Sequence, residues 1–208
     1  MFTDYRHKAT LLTFIGIVAH EAAHVVICLL FGLDIEEIVW FDPDIPGGYV
    51  KHRLPAAFTP ALLVATAPLL FNTAIAVSLT HYLIRAWIHG PTGYNLWALI
   101  PGSVVGLWLV VSTLYHSFPS RQDAQALWRH SLQLPKARLI YLFIIPPIMP
   151  FIGFLLVLDL SRQAGGDIVY TIGIISVTAY FSINPTAGIY LLEQMLKFLP
   201  SIPNSIRL

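Results

Sequence analysis

Residues 9–31 read ATLLTFIGIVAHEAAHVVICLLF. The run is apolar and long enough to span a bilayer, whose ~30 Å hydrocarbon core needs about 20 helical residues. Within it stand three ionisable side chains, His20, Glu21 and His24. Such groups are expensive inside a membrane helix and mark function there. Their pattern is HExxH. On a helix, positions i and i+4 share a face, so both imidazoles can reach one metal ion. Glu21 stands about 100° around from His20, beside the metal, where it can act as general base on metal-bound water. Zinc with three protein ligands keeps a fourth position for that water and lowers its pKa to about 7. A different class of reading makes the same side chains a polar helix contact, or the lining of a polar pathway in a non-enzymatic membrane protein. Arg6 and Lys8 imitate the basic start of a signal peptide, but the polar triplet interrupts the apolar stretch that would have to follow.

The rest of the chain extends the membrane reading. Of 208 residues, 56% are hydrophobic and 11% charged, with mean hydropathy +0.70. Soluble domains average about 45–50% apolar and about 25% charged. A net charge of +1 leaves no nucleic-acid footprint, and the single Cys28 excludes an intrachain disulfide. Further apolar segments cover residues 55–84, 96–115, 139–158 and 168–199. The expected fold is therefore an all-α polytopic membrane protein of about five transmembrane helices, forming one membrane-embedded domain over 1–208. Pro146, Pro147 and Pro150 predict a kink in the fourth segment, and Asn184-Pro185 a break within the fifth. Residues 33–55 read as a short β-hairpin-like excursion between the first two helices. Ile38-Val39-Trp40-Phe41 is β-prone, Pro46-Gly47-Gly48 signals a turn, and Tyr49-Val50 resumes a strand. The acids of this excursion, Asp34, Glu36, Glu37, Asp42 and Asp44, read as a solvated surface, and His81 and His89 as satisfied or interfacial polar groups. Arg6, Lys8, Arg85 and Arg162 fall on the side where the first helix starts; the other eight basic residues fall opposite. The positive-inside rule then puts the amino terminus outside and the site nearer the cytosolic face. The expectation is a multi-pass protein of a prokaryotic cell membrane.

Four stretches in order carry a family resemblance: HEAAH at 20–24, PGGYVKHR at 46–53, APLLFNTAIA at 67–76 and FPSRQDA at 118–124. This order resembles the site-2 protease family of intramembrane zinc metalloproteases, and the likeness runs from His20 to Ala124. The resemblance implies a catalytic core over 9–124, with 136–199 as additional transmembrane helices. It implies Zn2+ as cofactor and Asp123 as third ligand beside His20 and His24. It also implies that Gly47, Gly48, Tyr49 and Val50 belong to a strand that receives the substrate, a transmembrane segment of another protein, in extended form. The chain departs from the family in having Ala124 where Gly usually follows the Asp, and Tyr115-His116 where an Asn is expected. Oxyanion stabilisation is left to His116 or Asn72, and His130 and Glu193 are fallback ligands.

One geometric conflict stands out. If Gly32 ends the first helix, His24 lies about 12 Å inside that edge. A straight helix from Gly93 to Asp123 would be about 45 Å long and carry the carboxylate out of the bilayer. Either Pro119 folds the chain back or the helix begins deeper.

Overall fold

A computed structural model describes residues 2–44, 47–53, 55, 58–89, 96–133, 150, 153–154, 157–158, 160–162 and 164–198. The 9–31 stretch is helical, but not as the single rod expected. Helix α1 spans Phe2–Leu12 and α2 spans Phe14–Leu30, with Thr13 between them at φ −107°, ψ 23°. The cause is local. The Thr13 hydroxyl donates back to the Ala9 carbonyl at 2.8 Å, a contact that bends helices. The Gly16 N–H turns to the Thr13 carbonyl at 2.9 Å, and the Leu12 carbonyl accepts instead from the Trp108 indole N–H at 2.8 Å. Helix α2 ends as the sequence anticipates. Gly32 takes φ +62°, its N–H bonds the Leu29 carbonyl, and the Leu33 N–H reaches back to Cys28 at 2.8 Å. This left-handed glycine cap satisfies the last carbonyls.

The excursion is an antiparallel hairpin of β1 (Ile35–Asp42) and β2 (Gly47–His52), with Val39 opposite Tyr49 and Ile38 opposite Val50. Side chains alternate across it. Tyr49 and Lys51 point outward, where Lys51 pairs with Glu36 at 3.0 Å and the Tyr49 hydroxyl donates to Glu37 at 2.8 Å. That hydrogen bond raises the Tyr49 pKa, and the bond to Glu36 raises that of Lys51. Arg53 pairs with Asp34 at 3.3 Å. Asp34, Glu36 and Glu37 thus form exposed cross-strand pairs, while Asp42 accepts from the Asp44 N–H at 2.9 Å, and none of these acids joins a metal-ligating group among the described residues.

Helix α3 (Phe58–Ile88) is the central column, touching α2, α4 (Leu96–Tyr115), α5 (Arg121–Gln133) and α6 (Gly166–Ile183). Its buried face is built largely from small side chains: Ala61, Ala65, Ala67 and Ala76. Small residues let helix backbones approach closely. Gly16 of α2 is the extreme case, since a Cβ there would lie 1.9 Å from the Ser112 carbonyl oxygen of α4. Between α3 and α6, the His81 ring bonds the Ser182 hydroxyl at 2.9 Å, so His81 is a satisfied contact. His89 is exposed near the end of α3.

Among the described residues, two helices are long and apolar enough to cross a membrane, Thr59–Ile88 and Gly166–Ile183; Phe14–Leu30 and Leu99–Tyr115 are apolar and shorter. Most of 139–158, with its Pro146-Pro147 pair, lies outside the described residues. The fifth segment is broken where Asn184-Pro185 predicts. Helix α6 stops at Ile183 and α7 (Pro185–Phe198) begins on the proline, whose missing N–H is no loss at a first helical position.

The close approach at Gly16 is testable. Gly→Ala within a helix normally stabilises by about 0.5–1 kcal/mol. Gly102, also helical, has no atom within 4 Å of an added Cβ. Gly102→Ala should therefore hold or raise the midpoint of thermal unfolding in detergent, whereas Gly16→Ala should lower it, since overpacking costs about 1–3 kcal/mol of stability. Equal midpoints for the two variants would contradict the α2–α4 contact.

Candidate metal centre

His20 and His24 sit one turn apart on α2, both buried, with ring centroids 5.0 Å apart. Each ring is aimed by a backbone carbonyl. His20 Nδ1 lies 2.7 Å from the His116 carbonyl oxygen, and His24 Nδ1 lies 2.9 Å from that of Val64. A carbonyl only accepts, so both Nδ1 atoms carry the proton and both Nε2 atoms present lone pairs. Those lone pairs meet Asp123. Its Oδ2 is 3.8 Å from His20 Nε2, and its Oδ1 is 3.4 Å from His24 Nε2.

Asp123 arrives by a break after α4 rather than by a reversal: the chain bends at 116–120 and runs on along α3, from Asn72 at His116 to Ala65 and Ala61 at Ala124 and Leu127. Helix α4 ends at Tyr115, and the chain turns through buried Ser117, Phe118 and Pro119. Ser120 then opens α5. Ser120 N–H donates to Asp123 Oδ2 at 2.6 Å, and Asp123 N–H donates to Ser120 Oγ at 3.2 Å. This reciprocal capping box fixes both the helix start and the carboxylate rotamer. Helix α5 lies against α3 through Ala124 and Leu127 on Ala61 and Ala65. The methyl of Ala124 is part of that contact.

The three acceptors fit a metal ion. Ligand atoms about 2.0–2.1 Å from a tetrahedral centre are about 3.3–3.4 Å from one another, and the carboxylate oxygens stand 3.4 and 3.8 Å from the two imidazole nitrogens. All the candidate ligand atoms lie within 4.8 Å of one another, and among the described residues this is the one such group. Three lone-pair donors facing one another in a mostly buried place repel unless a cation stands between them. Two imidazoles and one carboxylate also leave a coordination position open, the pattern of reactive rather than structural sites. Glu193 is exposed on α7 and outside the group. The side chain of His130 lies outside the described residues.

The group opens on a cleft of about 680 Å³, walled by His20, Glu21, His24 and Asp123, by β2 from Gly48 to His52, and by the first turns of α5. Three of the four expected substrate-strand residues, Gly48, Tyr49 and Val50, thus border it; Gly47 pairs with Asp42 at the start of β2. Gly48 also packs on Glu21. A Cβ at 48 would lie 2.7 Å from Glu21 Cγ and 2.8 Å from the carbonyl oxygens of Val39 and Trp40. His116 and Asn72 do not border the cleft. Asn72 donates to the carbonyls of His116 at 3.3 Å and Gly16 at 3.5 Å, and the His116 ring bonds Thr13. Both act behind the site, where oxyanion donors cannot. Sequence reasoning missed Val64 because its contribution is a backbone carbonyl, which any residue could supply. The capping box was readable in Ser120-Arg121-Gln122-Asp123.

No family model, curated protein or solved structure matches this chain.

Metal analysis of the purified chain tests the convergence. One divalent ion per chain is expected, with the stoichiometry lost in His20→Ala, His24→Ala and Asp123→Ala and retained in Glu193→Ala. Full occupancy in Asp123→Ala would remove the carboxylate from the ligand set.

Proposed function

We propose that the chain is a membrane-embedded zinc metalloendopeptidase, with His20, His24 and Asp123 as ligands and Glu21 as general base, cleaving a peptide bond in or near a transmembrane segment of another protein. The observation that carries this reading is the convergence of HEAAH and Asp123 on one wall of a cleft whose other wall is a strand edge. Zinc, when bound, supplies Lewis acidity that polarises the scissile carbonyl and eases deprotonation of water. Glu21, on the same helix but off the ligand face, takes the proton from that water and passes it to the leaving amine. The sheet has two strands, so among the described residues β2 has no strand on its far side. A transmembrane helix hides its peptide groups in its own hydrogen bonds. An unwound segment regains partners by adding to the β2 edge, which presents it in extended form to the ligand wall. Gly48 contributes twice here, because it lets β2 lie on the Glu21 side chain and keeps the strand surface low beside the scissile bond.

The polytopic arrangement belongs to the same proposal. Two long apolar helices, two shorter ones and the 139–158 segment provide about five crossings, with the site nearer the cytosolic face by the distribution of basic residues. The bilayer and a transmembrane substrate are the partners implied. A polar pathway accounts less well for the same residues, because both imidazoles are turned by backbone carbonyls toward a common point rather than strung along a route.

Hydrolysis of a transmembrane substrate in mixed micelles should be blocked by phenanthroline and restored by Zn2+. Glu21→Gln should lower turnover by about 10²–10⁴-fold, the share general acid–base catalysis supplies, with metal content unchanged. Undiminished turnover in Glu21→Gln would remove the proposed base. Gly48→Ala should keep its metal and lose at least about tenfold in kcat, since a misplaced reacting group costs up to about 10²-fold. Wild-type kcat in that variant would disprove the contact with Glu21.

A further inference from the structure

His116 is buried and bonded at both ends. Its ring Nε2 lies 2.8 Å from Thr13 Oγ1. The Thr13 hydroxyl has one proton, already given to the Ala9 carbonyl, so Thr13 accepts and His116 Nε2–H donates. At the other end, the His116 carbonyl accepts from His20 Nδ1 at 2.7 Å and from Asn72 Nδ2 at 3.3 Å. One residue therefore links the α1–α2 junction to the carbonyl that aims a metal ligand. The ring has little freedom to let go. Its Cδ2 would be 2.9 Å from a Cβ on Gly16, and the Tyr115 ring stands edge-on at 5.0 Å. The junction is pinned to the same helix a second time, through Trp108 and the Leu12 carbonyl. His24 has no share in this chain of contacts, because its carbonyl partner is Val64 on α3.

We propose that His116 is a positioning residue that couples the α1–α2 junction to the His20 imidazole, so that the placement of α1 sets the geometry of one metal ligand and not the other. The inference rests on the metal-centre reading. Partners that orient a ligating imidazole typically matter by 10–100-fold in metal affinity. Thr13 acts one step further out, so its effect falls at the low end of that range.

The test uses the full chain in detergent loaded with Co2+, following the visible ligand-field absorption and the affinity by chelator competition. Thr13→Val removes the hydroxyl with little change of shape; Thr13→Ser keeps it. His116→Ala removes the ring donor; His116→Gln keeps an amide N–H near the position of Nε2. Thr13→Val and His116→Ala should each weaken Co2+ binding by about tenfold and alter the absorption bands, while Thr13→Ser and His116→Gln restore both. The double variant Thr13→Val/His116→Ala should bind no more weakly than His116→Ala alone, because the two residues act through one link. A Thr13→Val chain with wild-type affinity and bands, or additive losses in the double variant, would overturn the coupling while leaving the metal centre standing. A wild-type chain that takes up no stoichiometric Co2+ would overturn the metal centre and the coupling with it.

Discussion

Two backbone carbonyls decide what the rest of this structure can do. An imidazole can offer a metal either nitrogen, and a helix alone does not choose. Here the His116 and Val64 carbonyls each hold one Nδ1 proton. Both remaining lone pairs then face the Asp123 carboxylate across less than 4 Å. Rotating either carbonyl away would leave a histidine free to spin or to swap tautomer. The fold can be read as the apparatus that keeps those two oxygens still. Helix α3 delivers Val64, and the end of α4 delivers His116. Asn72 of α3 then ties the His116 carbonyl to that of Gly16 on α2. Asn72 gives up its own comfort to do so, since its Oδ1 is buried without a partner among the described residues. Such an oxygen costs about 1–3 kcal/mol, which is tolerable only if the two amide donors are worth keeping.

Holding three helices around two imidazoles requires close backbones, and the small residues provide them. Gly16 admits the α4 carbonyls; Ala23 and Ala67 share a buried cluster at the α2–α3 contact; Ala61, Ala65 and Ala124 do the same between α3 and α5. Larger side chains at these positions would move the carbonyls by more than the tolerance of a coordination sphere, which is a few tenths of an ångström. Large apolar residues are accordingly turned outward, where Leu70, Val104, Leu107 and Val169 are exposed.

What could be read in the sequence was local in origin. HEAAH needs only helical periodicity to bring its imidazoles to one face. The hairpin follows from β-prone residues around Pro46-Gly47-Gly48, and the break at Asn184-Pro185 from the chemistry of proline. Gly32 stands where the left-handed cap of α2 is found. The part that escaped is made by groups distant in the chain. The break at Thr13 depends on a tryptophan from α4 as well as on the local threonine bond. His116 looks like a candidate donor by residue type, yet its ring faces Thr13 and its contribution to the site is a carbonyl. Side-chain identity, the only information a sequence holds, does not reveal the work of the backbone. Asp123 stands between these cases: Ser120 three residues earlier signals its role at a helix start, but only the tertiary fold brings that start to the imidazoles.

The turn at 116–120 ties the candidate metal centre to a helix far beyond it in the chain. Irregular backbone that is buried away from water must have its polar groups paired. Ser117 and Phe118 are buried, and Pro119, which cannot continue the α4 ladder, is buried with them. The cover comes partly from α6. Phe118 packs its ring 4.9 Å from that of Tyr170, and the Tyr170 hydroxyl meets Thr73 of α3. Within the turn several polar groups are paired locally. The Ser117 N–H bonds the Leu114 carbonyl and the Ser117 hydroxyl bonds that of Thr113, while the Ser120 N–H goes to Asp123. Helix α6 thus bears on the site itself. It covers the non-helical segment between α4 and α5 on which the placement of the carboxylate depends.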